Sequence, residues 1–385
     1  MPNENHFDYI IIGNGLAGLQ LALQFYSDNE LKHKRVALID PDSKTINDKT
    51  WSFWEIGSGN WDSIVEKTWH TALFNSNRKS LVLPLQPYTY KSIRSLDFYN
   101  HAKATLEKSE NFQFIEDIIV SLEETETVLV KGQMNSYTAN HIFDSRIPKE
   151  YFSEISKYTL VQQHFKGWII ETETPCFNPE AFTMMDYRFQ YKDTTSFVYV
   201  LPVSENRALI EYTFFTPETV TESVYDHAIS NYITNHLKIE KYKIIETEQG
   251  NIPMTDFPFW KYNTQKITKI GTGGGWVKGS TGYSFKHTEK NTAKIVSNIK
   301  TGKNPSHNLF QKKYKFYDKI FLKVIKTNNK KGVWIFEQFY AKNSIPTMFR
   351  FLDEESSFKE DVNIMRALFS WDFIRAFFSV LFRSH

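Results

Sequence analysis

The chain has 385 residues, of which 41% are hydrophobic and 16% aromatic. This length and composition exclude a disordered chain and allow two packed domains with substantial cores. The formal charge of +2 comes from 46 basic and 44 acidic residues, and so even a balance excludes the electrostatic footprint of a nucleic-acid-binding protein. Cys176 is the only cysteine, which rules out an intrachain disulfide and a thiolate metal cluster and favours a reducing compartment. The eleven histidines show no metal-binding spacing, so we expect no metal.

The first pattern in chain order is a dinucleotide-binding fingerprint. An apolar, β-branched run at residues 7–12 predicts a buried strand, and a GxGxxG turn and a helical apolar pattern follow it at once. The first glycine allows a tight turn, the second lets the main chain approach a pyrophosphate at the helix N-terminus, and the third lets helix and strand pack closely. A second strand at residues 35–39 ends in Asp40, a carboxylate placed to accept hydrogen bonds from an adenosine ribose. The alternative is a glycine-rich turn that binds nothing. We predict cofactor contacts from Gly13, Gly15, Leu16, Ala17, Gly18 and Asp40.

A second glycine cluster lies late in the chain. Residues 269–275 run from an apolar segment into glycines, and residues 288–299 can form a helix. Flavoproteins of the hydroxylase type resemble this arrangement, in which a late strand and turn close over the flavin ribityl chain and pyrophosphate. Thr272 stands where those proteins usually carry an acid. The further predicted cofactor contacts are therefore Gly271, Thr272, Gly273 and Gly274.

Nine segments, in order, resemble the lycopene cyclase family. They are NDKTWSFW (47–54), YTYKSIRSLDF (88–98), FDSR (143–146), QHFKGW (163–168), MMDYR (184–188), FVYVLP (197–202), ALIEYT (208–213), GNIPMTD (250–256) and STGYSF (280–285). Together with the fingerprint they cover most of the chain from residue 7 to about residue 287. After about residue 305 the match is loose, so no functional residue is carried over from there.

The resemblance implies an α/β fold with a Rossmann-type FAD-binding domain of the hydroxylase and reductase flavoprotein class, a mixed-sheet substrate domain and a helical C-terminal region. It also implies an isomerase that closes β-ionone rings at the ψ ends of linear lycopene, through γ-carotene to β-carotene, without net redox change. Reduced FAD, formed with NAD(P)H, is implied as the cofactor. It acts either as an electrostatic stabiliser of the carbocation or as a proton donor or acceptor. Competing functions are a flavin monooxygenase or isoprenoid reductase acting on a lipophilic substrate, and a carotenoid-binding protein with a structural FAD.

Glu211 is the candidate catalytic acid. An alkene is a very weak base, so the acid must stay protonated near neutral pH, and burial raises the pKa of a carboxyl. Glu211 lies in an alternating apolar strand that is predicted to form a hairpin with residues 197–203. The functional glutamate of the family falls at this position. Many members carry a second acid directly after it, where this chain has Tyr212. The alternative is a strand glutamate that faces solvent or pairs with a basic residue.

Aromatic side chains within the matching segments are candidates for substrate contact, because their faces attract a cation. For each of them, plain core packing is the alternative. The predicted substrate contacts are Trp51, Trp54, Tyr199 and Tyr212. Arg94 and Asp97 are expected either beside the flavin or in an ion pair between domains, and Arg94 is counted among the predicted cofactor contacts.

Element types divide the chain into three parts. Residues 1–70, 95–150 and 245–300 are predicted to form a discontinuous FAD-binding domain. Residues 71–94 and 151–244 are predicted to form a sheet over the substrate pocket, and residues 301–385 a helical region.

The last segment predicts membrane contact. As a helix, residues 364–383 would place Asp372, Arg375, Ser379 and Arg383 on one narrow stripe, with an almost wholly apolar remainder. Such a helix is either buried against the protein or laid in a membrane interface, and it is too charged to span a bilayer. The N-terminus predicts neither a signal peptide nor a span. Because lycopene dissolves only in membranes, we expect a cytoplasmic protein on the inner face of the cell membrane.

Overall fold

The computed structural model describes residues 5–382. In chain order, its strands are β1 (His6–Ile12), β2 (Val36–Ile39), β3 (Thr50–Ile56), β4 (Lys67–Trp69), β5 (Thr71–Asn75), β6 (Ser80–Pro84), β7 (Tyr88–Arg94), β8 (Phe112–Ile115), β9 (Ile119–Glu124), β10 (Val128–Gly132), β11 (Ser136–Asp144), β12 (Leu160–Glu171), β13 (Ala181–Asp186), β14 (Ser196–Pro202), β15 (Arg207–Thr216), β16 (Lys243–Thr255) and β17 (Ile267–Lys269). The helices are α1 (Leu16–Ser27), α2 (Ser95–Leu106), α3 (Lys149–Glu154), α4 (Glu222–Asn231), α5 (Phe285–Lys300), α6 (Lys312–Thr327), α7 (Lys331–Lys342), α8 (Ile345–Leu352), α9 (Phe358–Ala367) and α10 (Trp371–Phe382).

The first sheet carries the glycine turns. Its strand order is β8-β2-β1-β11-β10-β9, with β17 added beside β11. The strands β8, β2, β1, β11 and β17 are parallel, whereas β10 pairs antiparallel with β11 and β9. Helix α1 packs against α2 and α5 on this sheet. All four residues of β2 are buried, which explains why the central strands read as continuous apolar runs.

The second sheet is mixed and is covered on both faces. Its order is β16-β12-β15-β14-β13-β5-β6, and the predicted hairpin of β14 and β15 is confirmed. On one face, Leu209 and Phe215 pack with residues of the C-terminal helices. On the other face, Ile210 and Phe214 pack against α4. The predicted class is confirmed: a Rossmann-type α/β domain, a mixed-sheet domain and a helical C-terminal region.

Two strand assignments differ from the predicted division of the chain. Strand β16 pairs with β12 along its whole length, so the second sheet continues to Thr255, past the boundary at residue 245. A small third sheet, β3-β7-β4, joins strands from both predicted domains. Both differences arise from long-range strand pairing, which element types along the chain do not reveal.

The C-terminal segment forms two helices instead of one. Helix α9 ends at Ala367, and α10 then packs against α6, with Ala376 buried and the rings of Phe316 and Phe377 5.7 Å apart. The opposite side of α10 is exposed, so burial against the protein, one of the two predicted environments, accounts for one side of the helix only. Arg383 lies outside the described residues. No helix within residues 5–382 is long and apolar enough to cross a bilayer.

Candidate active site

A cavity of about 710 Å³ lies between the first sheet and the face of the second sheet that the C-terminal helices cover. We call it the central cavity. The turns after β1, β11 and β17 line one end, and Glu211 and Phe215 of β15 line another part. Parallel strands end at the same edge of a sheet, which is why the two glycine turns, far apart in sequence, meet here.

The first glycine turn has the geometry that a dinucleotide requires. Gly13 has φ +105°, and a Cβ added to Gly18 would lie 2.0 Å from the carbonyl oxygen of Gly13. A Cβ on Gly15 would meet no atom within 4 Å, which leaves room for a phosphate at the start of α1. Leu16 and Ala17 also line the cavity. The buried side-chain oxygen of Asn14 lacks a hydrogen-bond partner, as expected where a ligand completes the site.

Asp40 lies in a smaller cleft of about 240 Å³ that shares Lys44 and Tyr99 with the central cavity. One carboxylate oxygen of Asp40 accepts a hydrogen bond from the main-chain N–H of Asn14 at 2.6 Å, and the other accepts one from the N–H of Asp42 at 2.8 Å. Asp40 thus fixes the glycine turn and lies beside a cleft suited to the adenosine end of a dinucleotide.

Two of the four predicted contacts in the late glycine cluster line the central cavity. Gly271, with φ +56°, and Thr272 line it. Gly273 and Gly274 do not: a Cβ on them would lie 2.4 Å from the carbonyl oxygen of Arg146 and 2.5 Å from that of Lys269. Their prediction as cofactor contacts is corrected, because neighbouring main chain fills the space and they shape the turn instead.

Glu211 projects into the central cavity from the middle of the second sheet. It is 8% exposed, and its carboxylate accepts a hydrogen bond from the Thr213 hydroxyl instead of pairing with a basic side chain. Burial, reinforced by the nearby charge of Glu248, raises the pKa of Glu211 to about 8. A protonated carboxyl at neutral pH in an aromatic-lined cavity is a general acid available for a weakly basic substrate.

Three tyrosines lie beside this acid in the cavity wall. The hydroxyl of Tyr90 is 2.8 Å from that of Tyr199 and 3.0 Å from that of Tyr283. Burial raises the pKa of Tyr283 to about 12 and raises the pKa of the other two well above the ordinary value, so all three are neutral. Neutral phenol rings add electron-rich faces to the cavity without adding charge.

The predicted aromatic contacts divide evenly. Trp51 and Tyr199 line the central cavity, whereas Trp54 and Tyr212 do not. The Trp54 indole stacks on Phe349 at 4.5 Å, and its N–H donates to the carboxylate of Asp353, the residue at the end of α8, so it anchors the C-terminal helices. Tyr212 follows Glu211 by one residue and therefore points to the opposite face of the strand, where its hydroxyl donates to the Phe189 carbonyl at 2.6 Å.

Arg94 is also displaced from its predicted place beside the cofactor. Its guanidinium donates to the carboxylate of Glu246 at 2.5 Å, which ties β7 to β16, and it lines neither the central cavity nor the adjoining cleft. Of the two predicted environments, the structure has the ion pair between sheets.

Sequence reasoning missed two parts of the site. Glu248 on β16 is a second buried carboxyl beside Glu211. The sequence alone does not reveal this, because the pairing of β16 with β12 is a long-range contact. Helix α7 contributes Phe336, Phe339 and Tyr340 to the wall, although its sequence matched no family segment. The i, i+3, i+4 spacing of these aromatics is the signal that could have marked a common helix face.

A match to the family of lycopene cyclase proteins extends over residues 8–377. The chain belongs to the lycopene cyclase family. The match includes the helices after residue 305, where the sequence had resembled the family only loosely. Among the relatives of this chain, the capsanthin/capsorubin synthase of Citrus sinensis is 25% identical over 302 residues, which is 73% of this chain and 58% of that protein.

The lycopene beta cyclase of Arabidopsis thaliana is 25% identical over 311 residues, 76% of this chain and 59% of that protein. The chain thus matches less than two thirds of the length of these curated relatives.

Solved structures with this fold include a geranylgeranyl bacteriochlorophyll reductase-like protein of Thermoplasma acidophilum, with a TM-score of 0.62 at 10% identity over 98% of this chain and 99% of that one. The flavin-dependent brominase Bmp2 has a TM-score of 0.63 at 12% identity, covering 94% of this chain and 98% of that one. At these identities the likeness of this chain to them establishes the fold alone.

Proposed function

We propose that the protein is a lycopene β-cyclase, which converts linear lycopene through γ-carotene to β-carotene by acid catalysis without net redox change. One observation carries the proposal: a buried carboxyl, Glu211, whose pKa is raised to about 8, lies in the same cavity as the two glycine turns. Family membership and the likeness to a lycopene beta cyclase support the choice of substrate.

The residues of the cavity suit each step of ring closure. The O–H bond of protonated Glu211 breaks as a C–H bond forms on the terminal alkene, and a neighbouring double bond attacks the cation and closes the ring. A C–H bond beside the new cation then breaks, its electrons form the ring double bond, and its proton returns to a carboxylate. The faces of Trp51 and Tyr199 stabilise positive charge, and the apolar walls exclude water.

The cofactor in this proposal is reduced FAD, generated with NAD(P)H. The open space beside Gly15, the ribose-facing acid Asp40 and the late turn at Gly271 and Thr272 would hold it. When bound, it supplies negative charge, or a proton-transfer group, near the carbocation.

The test is pigment analysis by chromatography of lycopene-accumulating bacterial cells that express the wild-type chain, Glu211→Gln or Glu337→Gln. Glu337 is a matched control, because it is equally buried but hydrogen-bonded to Ser76 outside the cavity lining. We expect β-carotene from wild type and control and unchanged lycopene from the flavin-loaded Glu211→Gln protein. Unchanged lycopene from wild type would contradict the proposal. Oxygenated products would then favour a monooxygenase, and products two hydrogens heavier per bond a reductase.

We further propose that the protein works on the inner face of the cell membrane, peripherally attached through α9 and α10. Trp371 and Phe382 are each 74% exposed and Phe378 is 49% exposed, and Arg366 and Arg375 lie exposed near them. An exposed aromatic surface with basic neighbours favours an anionic lipid interface, where lycopene dissolves.

Liposome flotation tests this attachment. A variant with serine at the three aromatic positions should float less than wild type, while Met134→Ser, which removes an equally exposed apolar side chain elsewhere, should not change flotation. Equal flotation of all three proteins would contradict the membrane proposal.

A further inference from the structure

Two buried carboxyls flank a glycine at the centre of the second sheet. Gly167 on β12 lies opposite Glu211 of β15 in one ladder and opposite Glu248 of β16 in the other. Cross-strand partners project from the same face, so both glutamates point to the face that the C-terminal helices cover. They flank a residue that has no side chain. A Cβ on Gly167 would lie 3.2 Å from Cγ of Glu248 and 3.5 Å from Cβ of Glu211. The glycine leaves the space between the carboxyls open.

Each carboxyl has one hydroxyl donor and no cationic partner within the described residues. Thr213 donates to Glu211, and the Thr50 hydroxyl donates to Glu248 at 2.8 Å. Tyr199 and Tyr283 interact with Glu211, and Glu66 and Glu246 interact with Glu248. Arg94 pairs with Glu246, and Arg207 pairs with Glu66. The Arg94–Glu246 ion pair measures 2.5 Å and the Arg207–Glu66 ion pair 4.0 Å, so neither arginine pairs with Glu211 or Glu248. The tyrosines are neutral. The charge that most directly opposes ionisation of Glu211 is therefore that of Glu248.

We propose that Glu248 is the coupled partner of Glu211: the two carboxyls beside Gly167 carry one proton in total, and the negative charge on Glu248 keeps Glu211 in its acid form. The inference rests on the proposed function, which needs one proton delivered and one recovered per ring. A singly protonated pair ends the cycle as it began, with no oxidant or reductant consumed. Glu248 does not line the cavity, so it is a positioning residue that acts through Glu211.

Infrared titration tests the pair without turnover. Full-length wild type, Glu248→Gln, Glu248→Asp and the control Glu337→Gln are titrated, with and without FAD, while the carbonyl band of protonated buried carboxyls is followed. The band lost in Glu211→Gln identifies the Glu211 titration. Removing the charge of Glu248 should lower this midpoint by about one pH unit or more, which is the strength of interaction at which two carboxyls titrate as a pair. Glu248→Asp, which keeps a charge, should restore most of the shift, and Glu337→Gln should leave the midpoint unchanged.

Cyclisation at a series of pH values gives a second measurement. Turnover needs protonated Glu211, so the fall in kcat at high pH should begin at lower pH in Glu248→Gln, with KM for lycopene little changed. A midpoint that stays in place in Glu248→Gln, or a Glu248→Asp protein that behaves like Glu248→Gln, would overturn the pair. If Glu248→Gln does not fold, the reciprocal variant Glu211→Gln must lower the midpoint of Glu248, and no change there would refute the coupling. If the midpoint moves in Glu248→Gln but the wild-type protein does not cyclise lycopene, the pair would be retained and the proposed substrate rejected.

Discussion

Replacing Glu211 with glutamine should abolish cyclisation and, at alkaline pH, stabilise the fold. Loss of a positioned proton donor costs about 10²–10⁴-fold in rate. The stability effect follows from linkage: the pKa of this carboxyl is about 8 in the folded chain against an ordinary value of 4.5. As pH rises between these values, the unfolded chain releases this proton while the folded chain retains it, so wild type loses stability across this window.

The size of the effect follows from the same two values. At about 1.36 kcal/mol for each pKa unit, burial of this acid costs wild type at most about 5 kcal/mol above pH 8. Because the charge of Glu248 contributes part of the pKa shift of Glu211, we expect Glu211→Gln to raise the free energy of unfolding by about 2–5 kcal/mol. Glutamine keeps the shape of the protonated acid and does not titrate, so the two proteins should be about equally stable below pH 4.5.

Urea unfolding followed by tryptophan fluorescence at several pH values measures this difference. The midpoint gap between variant and wild type should open as pH rises through the window and level off above pH 8. A gap that is independent of pH, or a variant that is less stable than wild type at high pH, would refute the assignment of a protonated, buried Glu211.

Three further predictions concern the turns, the helices and the sheet. Gly15→Ala should fold normally but lose bound flavin, because its Cβ would enter the open cavity. Gly18→Ala should also unfold more easily, since its Cβ would lie 2.0 Å from a carbonyl oxygen of the turn. Flavin absorbance and thermal unfolding distinguish the two variants. Lys278→Met should destabilise the protein by about 3–5 kcal/mol in urea, because it removes the cation that lies 2.8 Å from the buried carboxylate of Asp318. A loss below about 1 kcal/mol would contradict this. Gly167→Ala should cost about 1–3 kcal/mol, because its Cβ would lie 2.8 Å from a leucine methyl on the neighbouring strand; unchanged unfolding would show that the sheet can open there.

Local patterns predicted the strand, glycine turn and helix at the start of the chain. A strand, a GxGxxG turn and a helix are contiguous in sequence, so their geometry follows from the residues themselves, as Gly13, Gly15 and Gly18 show. The period of two along β15 also separates Glu211 from Tyr212, since adjacent residues of a strand face opposite sides. Counting Tyr212 as a substrate contact disregarded that alternation.

The tertiary structure decided what lies beside these elements. Trp54 and Arg94 belong to matching segments, yet their partners, Asp353 and Glu246, lie far away in the chain, and only packing shows that they serve the framework. Glu248 came beside Glu211 through the pairing of β16 with β12, which depends on long-range contacts. The sequence by itself thus determined the glycine turn, because its geometry is local, whereas the choice of Glu211 as the acid also drew on the family resemblance. The fold determined the second carboxyl and the aromatic wall from α7, because both depend on which distant segments become neighbours.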